Sequence, residues 1–160
     1  MVLAVAILAA SPIPVRSGGA TAATLMSGQW WRLITSQFLH VYVLHALLNA
    51  AAVAAVGFQL ERAIGSARML IAYFVSGTMG QLVAVLILPT IPASGASQAA
   101  LGISALLLTI AARTRSMRLF IAPALYAVVQ LALDLTFAHT VKLPHLASFA
   151  IGLLFGFGVR

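Results

Sequence analysis

Cysteine is absent from this sequence, which excludes disulfides, thiolate nucleophiles and cysteine-bound metals. Acidic residues are almost as scarce, Glu61 and Asp134 being the two in the chain. With a single aspartate, a protease built on an aspartate pair cannot be assembled. No His-Glu-x-x-His segment is present for a zinc hydrolase. His40 and His45 lack helical i,i+4 spacing and a third ligand, so no metal site is expected. No glycine-rich nucleotide loop occurs either, and no cofactor is expected. Charge of either sign is rare: 7% of the 160 residues carry it, against about a quarter in soluble domains. That is too little to cover a water-facing surface.

What is present is apolar. Hydrophobic residues make up 62% of the chain and mean hydropathy is +1.10. No charged residue occurs from Met69 to Ala112, and none from Leu44 to Leu60. A helix needs about 20 mostly apolar residues to cross roughly 30 Å of hydrocarbon, so runs of this kind are bilayer spans. The net charge of +7 and pI near 11.6 would suit a nucleic-acid partner. The nine basic residues, however, are scattered singly or in threes between apolar runs instead of being gathered on one face. The expected partner is the lipid bilayer, not nucleic acid. The fold class is an all-α membrane protein, a single domain over residues 1–160.

Proline, glycine and charge divide this domain. Val2–Val15 is apolar but short, and Pro12 and Pro14 are expected to end it. It lacks the basic segment that opens a signal peptide and is read as a first span shortened at its N-terminus. Residues 16–43 read as a long loop carrying Gly18-Gly19 and Trp30-Trp31-Arg32, the paired rings marking headgroup depth. Further spans are expected over 44–63, 67–88, 97–112, 119–138 and 145–159, which makes six. If the first runs outward, the inner connections hold Arg62, Arg68, Arg113, Arg115, Arg118 and Arg160, and the outer ones Arg16, Arg32 and Lys142. The positive-inside rule then puts the N-terminus in the cytoplasm, in the inner membrane if the source is bacterial. The second, fourth and sixth spans start at the outer face.

Those three spans carry the polar residues of interest. The second opens with His45 and Asn49, four residues apart and on one face. The fourth opens with Gly95-Ala96-Ser97 and the sixth with His145. Taken singly, Ser97 reads as a helix N-cap, His145 as an interfacial histidine, and His45 with Asn49 as interhelical hydrogen-bonding residues. All four lie within one or two turns of an outer helix end, where polar groups turn toward the bundle interior or a wet cavity. Together they supply a nucleophile, a base and oxyanion donors.

The motifs around these residues resemble the rhomboid family of intramembrane serine proteases. Trp31-Arg32 with Thr35, then Phe38-Leu39-His40 and His45-Ala-Leu-Leu-Asn49, look like its first loop and second span. Gly57 and Leu60-Glu61 before Gly65 resemble its G-x-x-L-E-x-x-x-G segment. Gly95-Ala96-Ser97 is similar to its G-x-S-G nucleophile motif, and His145-Leu-Ala-Ser-Phe-Ala-Ile-Gly152 to its last span. The resemblance implies a six-helix rhomboid-like bundle that cleaves single-span transmembrane proteins at small residues near their outer ends. It implies a Ser–His dyad rather than a triad, with Ser97 as nucleophile and His145 as base. The oxyanion hole would be formed by the Ser97 N–H with His45 and Asn49. It says nothing of oligomeric state. An alternative, a catalytically weak or inactive binder of transmembrane helices, stays open at this point.

Two positions depart from the family pattern. Gln98 stands where the motif has its second glycine, and Leu101 where an aromatic commonly supports the base. Gln98 lies in a first helical turn near the interface, so its amide is expected to reach the outer surface and be hydrated. Ser148, Gly152 and Gly156 form a small-residue stripe expected to bring the last span against the fourth. Glu61 is read as a cap or ion pair at the Gly65-Ser66 turn, with Arg68 its possible partner, and His40 as a hydrogen-bonder within the loop.

Overall fold

The computed structural model describes residues 12–136 and 142–158. Among these residues three short helices come first: α1 (Pro12–Gly18), α2 (Ala22–Met26) and α3 (Arg32–Thr35), the last running on into a 3-10 turn at Ser36–Phe38. Five long ones follow: α4 (Val43–Ile64), α5 (Ser66–Ile87), α6 (Ser97–Thr114), α7 (Met117–Thr136) and α8 (Lys142–Gly158). The architecture is an all-α membrane bundle. α4, α5, α6 and α7 are long and apolar enough to cross a bilayer, and α8 is apolar but shorter. Most of the span expected over 2–15 lies outside the described residues.

Pro12 and Pro14 lie in the first turn of α1, and the residues that precede them are outside those described. One expectation needs correction. Residues 16–43 are not one open loop. Thr21 and Thr24 cap α2 reciprocally, each side chain accepting from the other's backbone N–H. Arg32 then ties the segment together: its guanidinium donates to the backbone oxygens of Ser17 and Gly19 and to Gln29 Oε1. These three bonds, from Nε and Nη1, gather the segment into a compact cap. Trp30 and Trp31 remain 57% and 59% exposed, as membrane-interface rings would be.

Helix boundaries follow local chemistry. α4 ends at Gly65, whose φ of 84° favours glycine and whose N–H donates to the Glu61 carbonyl. Ser66 Oγ donates to the Glu61 carboxylate at 2.5 Å, so Glu61 does close this turn. Among the described residues no ion pair joins it to Arg68. α6 stops at Arg115 in the left-handed region, and Arg113 reaches across to donate to the Gly156 carbonyl near the end of α8.

α6 is the centre of the bundle, lying against α4, α5, α7 and α8. Ile103, Leu106 and Leu107 are fully buried there. The expected stripe on α8 does face it. A methyl group on Gly152 would collide with the Gly102 backbone oxygen, and one on Gly156 with the Thr109 side chain. Lipid supplies no hydrophobic force between helices, so such close backbone approach carries the association through packing. Leu70, Leu86, Leu125, Leu135 and Phe157 face outward, where a bilayer would cover them.

Candidate active site

Ser97 sits at the start of α6, and three hydrogen bonds fix the turn that presents it. Gly95 adopts a φ of +97°, and a side chain there would press on the His45 ring. Its N–H donates to the Ser36 carbonyl at 3.0 Å, and its own carbonyl accepts from Gln81 Nε2 at 3.1 Å. The Ala96 N–H donates to His40 Nε2 at 3.3 Å. Accepting at that nitrogen requires a neutral ring, and burial of His40 pushes its pKa below the usual 6.5, against a weaker opposing effect of the Phe38 backbone. His40 is thus a hydrogen-bonder as expected, but its bond joins the first loop to the nucleophile turn instead of staying within the loop.

Ser97 does not cap α6. The N-cap is Ala96, without a side-chain bond. Ser97 Oγ instead lies 2.9 Å from His145 Nε2, and both residues are buried. The two come from the first turns of α6 and α8, the helices drawn together by Gly102 and Gly152. Ser148, one turn beyond the base, donates from Oγ to the Ser76 carbonyl at 3.0 Å and so fastens α8 to α5.

Behind the base stands a residue whose part in the site the sequence reading missed. His145 Nδ1 is 2.8 Å from Asp134 Oδ2 and 3.0 Å from Oδ1. Gln130, one turn earlier on α7, donates from Nε2 to Asp134 Oδ1 at 3.1 Å. A carboxylate only accepts, so Nδ1 carries the proton and Nε2 presents a lone pair to the Ser97 hydroxyl. The signal was there: Tyr126, Gln130 and Asp134 recur every four residues in an otherwise apolar helix.

Asn49 and His45 stand on α4. Asn49 is buried, and its Oδ1 accepts from Tyr126 Oη at 2.9 Å. Its Nδ2 is buried with no hydrogen-bond partner among the described residues. His45 is half-buried, stands edge-on to His40 with ring centroids 5.0 Å apart, and borders Gly95.

The expectation for Gln98 is overturned. Its side chain is 1% exposed and turns inward. Gly80 on α5 leaves the space it fills: an added methyl there would lie 2.7 Å from both Cβ and Cγ of Gln98. Gln98 Oε1 lies 3.2 Å from Ser97 Oγ. The serine hydroxyl has one proton, so Gln98 and His145 compete for it. Leu101 is also buried, packing with Ala52, Ala100 and Tyr126.

A hydrogen-bonded serine and histidine inside an apolar helical bundle define a membrane-embedded protein with a serine-hydrolase site. A model of the Rhomboid domain matches residues 27–160, and the chain belongs to the rhomboid family. It is 37% identical over 93 residues to the rhomboid protease GluP of Bacillus subtilis, covering 58% of this chain and 18% of that protein. It is 36% identical over 86 residues to the Rhomboid-like protease 3 of Toxoplasma gondii, covering 54% of this chain and 33% of that one. It is 35% identical over 83 residues to the Inactive RHOMBOID-like protein 8 of Arabidopsis thaliana, covering 52% and 24%. The chain thus spans a third or less of the length of these relatives.

Proposed function

We propose that the protein is an intramembrane serine endopeptidase that cleaves transmembrane-helix substrates. The observation that carries this is the buried 2.9 Å bond between Ser97 Oγ and His145 Nε2. Ser97 Oγ attacks the carbonyl carbon of the scissile peptide as its proton passes to His145 Nε2. The carbonyl π electrons move to oxygen, giving a tetrahedral oxyanion. On collapse the C–N bond breaks, the Nε2 proton goes to the departing amine, and the acyl group remains on Oγ. Water, deprotonated by His145, then releases the new carboxyl end and restores Ser97.

The oxyanion donors in this reading are the Ser97 N–H, Asn49 Nδ2 and the His45 ring. Tyr126 supports the assignment of Asn49. By occupying Oδ1 it turns the amide so that its N–H groups, buried and otherwise unpaired, remain for the developing charge. An orphan donor in a protein interior costs about 1–3 kcal/mol, a cost repaid where an oxyanion hole must stand ready before the reaction. In the bilayer, α8 acts as a further span beside α4 to α7, within a six-span rhomboid-like bundle. The N-terminus faces the cytoplasm and the site lies toward the outer face, where it meets single-span substrates at small residues.

The test uses the purified protein in proteoliposomes with a transmembrane reporter and a fluorophosphonate probe. Wild type should cleave the reporter and be labelled at Ser97, and Ser97→Ala should do neither. Reporter binding without cleavage or labelling by wild type would sink the protease reading and leave a helix-binding protein.

A further inference from the structure

Asp134 is the one aspartate of the chain, 6% exposed, on a helix that otherwise shows lipid its leucines and valines. An ionisable group at membrane depth is rare and expensive, and it persists where it is paired or used. Here its two oxygens straddle His145 Nδ1, on the side of the ring away from Ser97. Gln130 holds Oδ1 from the preceding turn. Lys142, exposed on α8 one turn before the base, adds positive charge to the surroundings of the carboxylate.

We infer that Asp134 is a positioning residue that completes a Ser97–His145–Asp134 relay. This rests on the protease reading, and it departs from the dyad that the family resemblance implies. The carboxylate selects the tautomer with hydrogen on Nδ1, which alone leaves Nε2 able to take the serine proton. It also fixes the ring plane and offsets the positive charge that the imidazole gains when Oγ attacks. Asp134 takes no proton itself; the proton travels from Oγ to Nε2 and on to the leaving amine. Gln130 serves the same end indirectly, holding the carboxylate while its oxygens face the ring. A pair that merely closed α7 on α8 would need neither the bifurcated approach to one ring nitrogen nor the serine on the other.

The experiment compares wild type, Ser97→Ala, Asp134→Asn and Asp134→Glu in the proteoliposome assay, with melting temperatures of each. Asparagine keeps the shape of the carboxylate but can donate to Nδ1 and so support the wrong tautomer. In soluble triad proteases that change costs about 10⁴-fold in kcat. We expect Asp134→Asn to lose about 10²-fold or more in kcat with KM and melting temperature nearly unchanged, the mark of an interaction made in the transition state. Asp134→Glu should recover part of the loss. The second measurement needs no variant at position 134. In 15N-histidine spectra of the wild type, the His145 signal, assigned by its loss in His145→Ala, should report hydrogen on Nδ1. Cleavage by Asp134→Asn within about threefold of an active wild type, or an Nε2–H tautomer, would overturn the relay alone. Absence of cleavage by wild type would overturn the protease reading, and the relay with it.

Discussion

α6 and α7 run as neighbours through the same apolar layer and bury opposite kinds of residue. α6 is enclosed on nearly all sides and hides mostly alanine, isoleucine and leucine, with Ser97 and Gln98 at one end and the hydroxyls of Ser104 and Thr109 bonded to its own backbone. α7 buries a single stripe, Pro123, Tyr126, Gln130 and Asp134, and turns Ile121, Leu125, Val128, Leu131 and Leu135 outward. A soluble helix with that composition would be inverted. In lipid the arrangement follows from the solvent: leucine gains little by leaving hydrocarbon, whereas a carboxylate or amide gains a great deal. α6 is therefore placed by fit, and α7 by its polar stripe. Of the four long spans α4 to α7, the nucleophile rides on the most enclosed, and the groups that orient the base ride on the one most open to lipid.

The sharpest way to break this contrast is to remove the base it serves. His145→Ala should abolish reporter cleavage, by about 10⁶-fold in kcat if the soluble serine proteases are a guide, while the protein still inserts and folds. Residual cleavage near wild-type rate would detach the site from both helices. Next in size is Asn49→Ala, which takes one donor from the α4 side. A lost oxyanion donor costs about 10²–10³ in kcat, and partial activity should persist because the Ser97 N–H and His45 remain. An unchanged kcat would show that the unpaired Asn49 Nδ2 serves packing alone.

Gly152→Ala tests placement by fit. The new methyl meets the Gly102 backbone oxygen, and overpacking of this kind costs about 1–3 kcal/mol. Both melting temperature and turnover should fall, because moving α8 also moves His145. Gln98→Gly should act more gently. It leaves a gap beside Gly80 and adds about 1 kcal/mol of helix cost, yet it removes the competitor for the Ser97 proton. A modest rise in turnover with a lower melting temperature is expected; a large loss of activity would make Gln98 part of the machinery. Smallest of all should be Leu131→Ala on the lipid face of α7, within about 0.5 kcal/mol of wild type and neutral in cleavage. A measurable effect there would mean that α7 is held by more than its polar stripe.

Legibility in the sequence followed the same division. The spans expected over 44–63, 67–88, 97–112, 119–138 and 145–159 fall close to α4 through α8, because charge, proline and glycine punctuate an apolar chain. Ser97 and His145 were legible as a pair, since each opens a helix and both lie at one membrane depth. Asp134 was read only for what a lone aspartate rules out. Its four-residue spacing from Gln130 and Tyr126 was visible, but nothing in one helix tells which neighbour its stripe will face. Gln98 was misjudged for a related reason. Depth was reckoned along α6 alone, whereas Gly80 on another helix makes the room that lets a long amide turn inward.

The order of residues by itself determined which stretches leave water, where each helix starts and stops, and which few groups are polar at membrane depth. These are matters of solvent and local backbone, set by neighbours a few positions away. Only the tertiary structure decided that the Ser97 hydroxyl meets His145, that Asp134 stands behind that ring, and that Gln98 shares the serine's proton. Those contacts join residues as much as 48 positions apart. They depend on how closely α8 approaches α6, and that distance is fixed by the missing side chains of Gly102 and Gly152, a property of two surfaces together and of neither strand of sequence alone.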